Sequence, residues 1–189
     1  MKKLILIMTL GFALNYADEV KIYNFDNIHR NENGLFVDKQ TCKIVNGIIK
    51  SYSNQKVNLE FGCLNGRENG LMKYYTKTGQ LLWEQPYKNG KKEGLYKMYN
   101  SKNGNLFMTS RDVNNFSDGN STIYNDDGTK LWEVFYKKGL AIYGFRYFND
   151  EKQPIPKKEI EKMNDEYRKI RIQSKKIFDN AKHKCCPLN

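Results

Sequence analysis

The segment YKNGKKEGLYKMY spans residues 87–99 and contains two glycines within five residues. The first, Gly90, follows an asparagine, and Asn-Gly is a preferred pair for two-residue hairpin turns. The second, Gly94, is followed by apolar and basic residues that alternate, as in a β-strand with one buried face. The segment therefore predicts a hairpin turn followed by the start of a new strand.

The same pattern recurs along the chain. Five glycines follow one another at intervals of 23 to 25 residues: Gly47, Gly70, Gly94, Gly119 and Gly144. A tyrosine lies five residues after each of the first four: Tyr52, Tyr75, Tyr99 and Tyr124. The stretch GQLLWEQPYKNG at 79–90 also matches GTKLWEVFYKKG at 128–139. Short apolar runs separated by turn residues at a fixed period predict tandem β-hairpins.

We therefore predict a mainly β protein in which tandem hairpins form one elongated antiparallel sheet, followed by a C-terminal α-helix. The predicted organisation is a signal peptide at 1–17, a lead-in segment with short strands at 18–45, hairpin repeats at 46–150, and a basic amphipathic helix with a cysteine-containing tail at 151–189. The stretch RDVNNFSDG at 111–119 lacks the Glu-x-x-Tyr of the other units. It predicts a looser edge.

Strand parity indicates what the repeated aromatic residues do. Trp83 and Tyr87 are four residues apart, so they point to one face of a strand. Large apolar side chains that recur along stacked hairpins predict a shared core, and burial of each is worth about 1.5–3 kcal/mol. The predicted repeat core is Tyr52, Tyr75, Trp83, Tyr87, Tyr99, Phe107, Tyr124, Trp132 and Tyr136. The alternative is that Trp83 and Trp132 form a partly exposed binding stripe.

Charge suggests which partners the chain attracts. The formal net charge is +11, which favours an acidic protein, anionic lipid or acidic polysaccharide. Lys73 and Lys97 alternate with the predicted buried positions, so they are predicted to point outward as a candidate binding face. We expect no nucleic-acid partner, because the N-terminus predicts export.

The export prediction rests on residues 1–17. Two lysines precede an apolar run at 4–14, which is too short to span a bilayer, and Ala17 is a suitable last residue before cleavage. A rival cleavage site follows Gly11-Phe12-Ala13, and the alternative to a signal is a buried N-terminal element. The predicted location is the periplasm, the cell envelope or the extracellular space.

The C-terminal region predicts one helix. Pro154 and Pro156 end the repeats, and an apolar stripe then follows at steps of three and four: Ile160, Met163, Tyr167, Ile170, Ser174, Ile177 and Ala181. One interpretation is that this helix covers the last hairpin. The alternative is a basic amphipathic helix that binds anionic lipid or a partner.

Four cysteines allow two disulfides in an oxidising compartment. They are Cys42, Cys63, Cys185 and Cys186. We predict at least one bridge from the tail to the repeats, joining Cys185 or Cys186 to Cys42 or Cys63. For Cys63, which occupies an aromatic position of the repeat, a small buried thiol is the alternative.

The segment from Tyr87 to Tyr99 resembles a MORN repeat and, more closely, the MORN-repeat-variant family of bacterial proteins. GLFVDKQTCKIVNGIIKSY at 34–52 is similar to the lead-in of that family, and the resemblance covers about residues 34–150. It implies a binding protein built on a hairpin sheet. Many family members resemble YwqK-type antitoxins, so the implied partner is a protein, such as a toxin.

No catalytic or cofactor motif accompanies the repeats. The two histidines, His29 and His183, lack metal-ligand spacing to the cysteines, and no phosphate-binding glycine loop is present. We predict an exported, non-enzymatic protein without a cofactor that binds a protein partner as an antitoxin or immunity factor. The alternative is an envelope-associated scaffold for anionic lipid or acidic polysaccharide, and an unrecognised enzyme is a third hypothesis.

Overall fold

The computed structural model describes residues 20–149 and 151–180, with side chains up to residue 173. The predicted signal peptide, Cys185 and Cys186 lie outside these residues. The described chain forms β1 (Ile22–Asn24), a 3₁₀ turn (Phe25–Asn27), β2 (Ile28–Arg30), β3 (Phe36–Asp38), β4 (Gly47–Ser53), β5 (Lys56–Leu64), β6 (Arg67–Glu68), β7 (Gly70–Tyr75), β8 (Leu81–Lys88), β9 (Lys91–Lys92), β10 (Gly94–Tyr99), β11 (Leu106–Val113), β12 (Phe116–Tyr124), β13 (Lys130–Lys137), β14 (Leu140–Phe148), β15 (Glu151–Pro154) and α1 (Lys157–Asn180).

Strands that follow one another along the chain are neighbours in one long sheet. Its order is β1-β4-β5-β7-β8-β10-β11-β12-β13-β14-β15, with β6 on β5 and β9 on β8. Only β1 and β4 pair in parallel within this described sheet. β2 and β3 form a separate hairpin. The predicted fold class, tandem hairpins in an antiparallel sheet followed by a helix, is confirmed.

Two-residue turns join many of the strands. At Asn89-Gly90 the φ angles are 50° and 78°, and positive φ at both central residues is the requirement of a type I′ turn. The prediction of a looser edge at 111–119 is wrong. β11 and β12 lie inside the sheet, and Asn114 and Asn115, with φ angles of 52° and 70°, join them. Asparagine tolerates this left-handed conformation better than most residues.

The first four repeat hairpins carry a β-bulge at the same place, whereas the pairing of β14 with β15 is unbroken. Strand pairing shifts by one residue immediately before the tyrosine that lies five positions after the repeat glycine. The extra residues are Asn58, Leu82, Phe107 and Leu131. In the third hairpin, Met108 therefore pairs with Met98, which also pairs with Trp83. The predicted core role of Phe107 is wrong, because Phe107 is the bulge residue and is 41% exposed.

We call the side of the sheet that carries Trp83 and Trp132 the packing face. The lead-in covers its first hairpin: Phe36 packs on Phe61 with ring centroids 5.5 Å apart. The buried cluster there is Ile28, Phe36, Val45, Ile49, Phe61 and Cys63. The core at this end therefore joins the sheet to the segment that precedes it.

Helix α1 covers the other end of the packing face. The buried cluster there is Val134, Ala141, Ile155 and Ile160, with Trp132, Tyr136 and Met163 packed around it. Asn164 fixes the helix, because its Oδ1 accepts from the Ala141 N–H (2.7 Å) and its Nδ2 donates to the Ala141 carbonyl (3.0 Å). Ile170 is 61% exposed. The helix thus covers the last hairpin with its first turns.

The repeat glycines answer two different constraints. Gly47, with φ of 147°, has the Lys21 carbonyl oxygen 2.1 Å from where a Cβ would lie, so a side chain would displace β1. At Gly144 the constraint is space alone, since a Cβ would lie 2.7 Å from Ile155 Cδ1 and 2.8 Å from the Glu133 carbonyl oxygen. Gly70, Gly94 and Gly119 have φ angles of 100°, 130° and 123°.

Candidate binding groove on the packing face

The side of the sheet opposite the packing face carries Lys73 and Lys97, and we call it the ladder face. Adjacent strands place lysine and glutamate next to each other across it. Lys50 and Lys73 lie 3.5 Å and 3.6 Å from the Glu60 carboxylate, and Lys97 lies 3.0 Å from Glu84. The two lysines of the predicted binding face are therefore already paired with carboxylates of the same sheet.

The repeated tyrosines complete this arrangement. The Tyr75 hydroxyl donates to Glu60 (3.0 Å), and the Tyr99 hydroxyl donates to Glu84 (3.2 Å). Burial, followed by the Glu60 hydrogen bond, raises the pKa of Tyr75 to about 12. The placement of Tyr52 in the core is wrong, because Tyr52 is 46% exposed.

Tyr75, Tyr99 and Tyr124 are half-buried on the ladder face and lie outside both buried clusters. The Tyr124 hydroxyl lies 3.5 Å from Thr109 Oγ1, at the position that corresponds to Glu84. The constant spacing of 15 residues between each tyrosine and its partner is a signal that sequence reasoning missed.

Two charged residues of the ladder face, Glu60 and Lys97, have shifted pKa values. Burial acts to raise the pKa of Glu60, but the Tyr75 hydrogen bond and the charges of Lys50 and Lys73 outweigh it, so this pKa is lowered. The hydrogen bond to the Glu84 carboxylate raises the pKa of Lys97. The lowered pKa of Glu60 and the raised pKa of Lys97 each favour the charged form of that group, so each stays charged in its own ion pair.

The middle of the packing face is covered neither by the lead-in nor by the helix turns that contact the sheet. A groove of about 330 Å³ lies there. We call it the central groove, and its lining is Trp83, Gln85, Tyr87, Lys92, Tyr96, Met108, Ser110, Asp112 and Ser117. It comes from the second and third hairpins.

Aromatic rings form one wall of the central groove. Tyr74 and Trp83 are stacked, with centroids 5.5 Å apart and planes at 11°, and Tyr96 lies 6.3 Å from Trp83 at 40°. Trp83 is half-buried and lines the groove, whereas Trp132 packs against the buried cluster below α1. The two tryptophans of the repeat thus occupy different environments.

Buried polar groups form the floor of the central groove. Gln85, Ser110 and Asp112 are 2%, 7% and 8% exposed. The Ser117 hydroxyl lies 3.3 Å from Asp112 Oδ1, and among the described side chains no lysine, arginine or histidine nitrogen comes within 4 Å of this carboxylate. After burial, the Asp112 charge contributes to the raised pKa of Tyr96.

The central groove continues under α1. A second hollow of about 320 Å³ shares Met108, Ser110 and Ser117 with it and extends to Tyr167 and Ile170 of the helix. The two hollows therefore adjoin along Met108, Ser110 and Ser117.

The sequence contained one overlooked signal for this site. Asp112 occupies the position that Tyr87 and Tyr136 hold in the neighbouring repeats. Strand register confirms the equivalence, since Gly70, Gly94 and Gly119 pair with Tyr87, Asp112 and Tyr136 respectively. The loss of the repeat pattern in the third unit therefore marks the polar floor of the groove.

The described cysteines lie in contrasting environments. Cys63 is 5% exposed, and burial, followed by the Glu68 charge, raises its pKa to about 11. Its Sγ lies 3.5 Å from the Val45 carbonyl oxygen. Cys42 is exposed. The predicted bridge to Cys185 or Cys186 stays a prediction, because these two residues lie outside the described part of the chain.

The described residues contain neither a metal-binding cluster nor a helix that could span a membrane. Within them, no three side chains among His, Cys, Asp and Glu are grouped so as to hold a metal ion. The described helix lacks the apolar length needed to cross a membrane.

Comparison with known proteins gave little. No protein-family model matches the chain, and no curated protein is significantly similar to it. A solved structure, the crystal structure of a GtfA/B complex bound to UDP and GlcNAc, is similar at 15% identity over 52% of this chain, with a TM-score of 0.21. The match spans only 22% of that other chain. A likeness at this level supports no statement about fold or activity.

Proposed function

We propose that this chain is a non-enzymatic binding protein that holds a segment of a protein partner in the central groove. The observation that carries the proposal is that the middle of the packing face is left uncovered between the lead-in and α1. Both ends of that face are buried by other parts of the chain, while the half-buried rings of Trp83 and Tyr96 remain accessible between them. Aromatic residues and methionine are enriched at protein interfaces.

The ion pairs on the ladder face support the choice of the packing face as the binding surface. The lysines there are bound by glutamates of adjacent strands, so a partner would have to break ion pairs to use them. The central groove instead offers the Trp83 ring, the thioether of Met108 and buried polar groups that can fix orientation. We therefore propose that the partner binds the packing face rather than Lys73 and Lys97.

We also propose that the protein is exported, with residues 1–17 removed, and acts in the periplasm, the cell envelope or outside the cell. The proposed role as an antitoxin or immunity factor rests on the resemblance to YwqK-type proteins. N-terminal sequencing of the native protein should begin at Asp18, or at Leu14 if the rival site is cleaved. An intact Met1 would contradict export.

The groove proposal is tested by capture from native cell-envelope extracts. Tyr96→Ala should abolish recovery of a specific partner, because it removes a ring from the groove wall. The matched control is Leu95→Ala, at the neighbouring position of the same strand, where the side chain is 44% exposed on the ladder face. Equal loss with both variants, or with neither, would refute the groove as the binding surface.

A second candidate function comes from α1. Ile170 and Ile172 are 61% and 58% exposed and lie among Arg168, Lys169 and Arg171. Exposed apolar residues beside basic ones favour binding to an anionic membrane surface. Ile172→Gln should weaken salt-sensitive sedimentation with phosphatidylglycerol vesicles and leave partner capture unchanged. Unchanged sedimentation would remove this candidate.

A further inference from the structure

We propose that the central groove binds a lysine or arginine side chain of the partner, with the Asp112 carboxylate as its counter-charge. This inference rests on the proposed function, and it names the chemistry that the partner presents. It also replaces the acidic partner that Lys73 and Lys97 suggested with a partner that is basic at the contact.

Among the described side chains, Asp112 is a buried acid without a close cation. It is only 8% exposed, and its carboxylate accepts a long hydrogen bond from the Ser117 hydroxyl at 3.3 Å. A buried charge is costly unless it is paired and hydrogen-bonded. The neighbouring buried acid shows the contrast, because Glu68 forms an ion pair with Arg30. Asp112 is therefore a carboxylate for which a partner can supply the missing cation.

Aromatic side chains line the central groove beside Asp112. Tyr87, Tyr96 and Trp83 line the same space, and the Asp112 charge acts on both tyrosines. Aromatic rings attract cations through their electron-rich faces. The long apolar stem of a lysine or arginine also packs well along apolar surface. A carboxylate at the base of an aromatic groove fits these two side chains and disfavours glutamate or aspartate.

The charged groups near Asp112 lie on the groove rim or are already paired. On the strand across from it, the paired residue is Gly94, which has no side chain. Lys92 lines the groove but is exposed. Glu68, the other acid that acts on Tyr87, is held by Arg30. Lys92 thus repels an incoming cation from the rim, and its removal should favour the proposed ligand.

The test uses four blocked pentapeptides, Ac-Gly-Gly-X-Gly-Gly-amide with X as arginine, lysine, leucine or glutamate. Binding to the full chain is followed by the indole N–H signal of Trp83 in NMR titrations. We expect the arginine and lysine peptides to bind more tightly than the other two. Asp112→Asn should weaken them by about tenfold or more, since a charged hydrogen bond is lost. Lys92→Ala should leave their binding equal or stronger.

The matched control is Asp118→Asn, on the same strand pair but outside the groove lining, where the carboxylate pairs with Lys137 at 2.9 Å. It should leave the titrations unchanged, and circular dichroism should show both variants folded. Tighter binding of the glutamate peptide, an Asp112→Asn variant that binds arginine normally, or no peptide binding at all would overturn the inference. If the leucine peptide alone binds, or if partner capture depends on Tyr96 and not on Asp112, the cation pocket is refuted while the proposed function stands.

Discussion

The ladder face and the packing face are made by alternate residues of the same strands, yet their side chains find partners in different ways. On the ladder face, Glu60 and Glu84 bind lysines and tyrosines of adjacent strands. On the packing face, apolar side chains are buried by segments from outside the repeats, namely the lead-in and α1. The comparison teaches that residues of the ladder face are satisfied by adjacent strands, whereas the packing face needs cover from outside the repeats and stays open where neither segment reaches it.

The largest expected effect comes from the covered end of the packing face. Phe61 is 3% exposed and packs on Phe36, so Phe61→Ala should lower the free energy of unfolding by about 3–5 kcal/mol. Urea denaturation measures this. Leu95→Ala, on the ladder face, should change it by only about 0.5 kcal/mol. Similar losses for the two variants would erase the distinction between the faces.

The next effect tests how α1 is held. Gly144→Ala should cost about 1–3 kcal/mol, because the new methyl group collides with Ile155 and with the Glu133 carbonyl. Gly70→Ala is the control, since φ there is 100° but no atom lies within 4 Å of the added Cβ. Only the Gly144 variant should expose the chain around Ile155 to limited proteolysis. Cleavage around Ile155 in both variants would show that general loosening of the sheet, rather than the local collision at Gly144, exposes this segment.

A smaller effect is expected on the ladder face. Glu84→Gln removes the ion pair with Lys97 but keeps an acceptor for the Tyr99 hydroxyl. The loss should be about 0.2–1 kcal/mol and should shrink at high salt, as for other partly exposed pairs. Glu161→Gln, in a highly exposed pair with Lys157 at 3.9 Å, is the matched control and should change nothing measurable. A loss that does not respond to salt would contradict the ion-pair explanation.

The smallest expected effect is a change in the pH dependence of stability, and it is visible only in alkaline solution. The pKa of Tyr75 rises from 10.0 to about 12 on folding, so its neutral form is favoured in the folded state. This contribution is complete below pH 10 and is lost as the pH rises toward 12. Unfolding midpoints should therefore fall more steeply between pH 10 and 12 for the wild type than for Tyr75→Phe. Parallel pH profiles would show that Tyr75 titrates normally.

Local patterns in the sequence were sufficient to predict the hairpins. The Asn89-Gly90 turn depends on residues that are neighbours in the chain, and alternation along a strand follows from backbone geometry. The bulges were not predicted, because assigning every second residue to the same face assumes an unbroken strand. This is why Phe107 was assigned to the position that Met108 occupies.

The groove could not be predicted for a different reason. Whether Trp83 or Trp132 is covered depends on where the lead-in and α1 fold back, and both segments lie far from the central hairpins in sequence. The partners of Lys73 and Lys97 likewise come from neighbouring strands rather than from their own. To predict which side chains meet across two strands, the strand register must be known. The spacing of the glycines indicated that register only to within one residue.

The bulge in each of the first four hairpins also affects how freely the repeat units can differ in sequence. The extra residue has no counterpart on the adjacent strand, so its side chain is under weaker constraint than its neighbours. The chain carries asparagine, leucine, phenylalanine and leucine at this column. The repeat units can therefore differ at the bulge position. A fluorophore attached there, at Leu131, would report on the sheet without disturbing it.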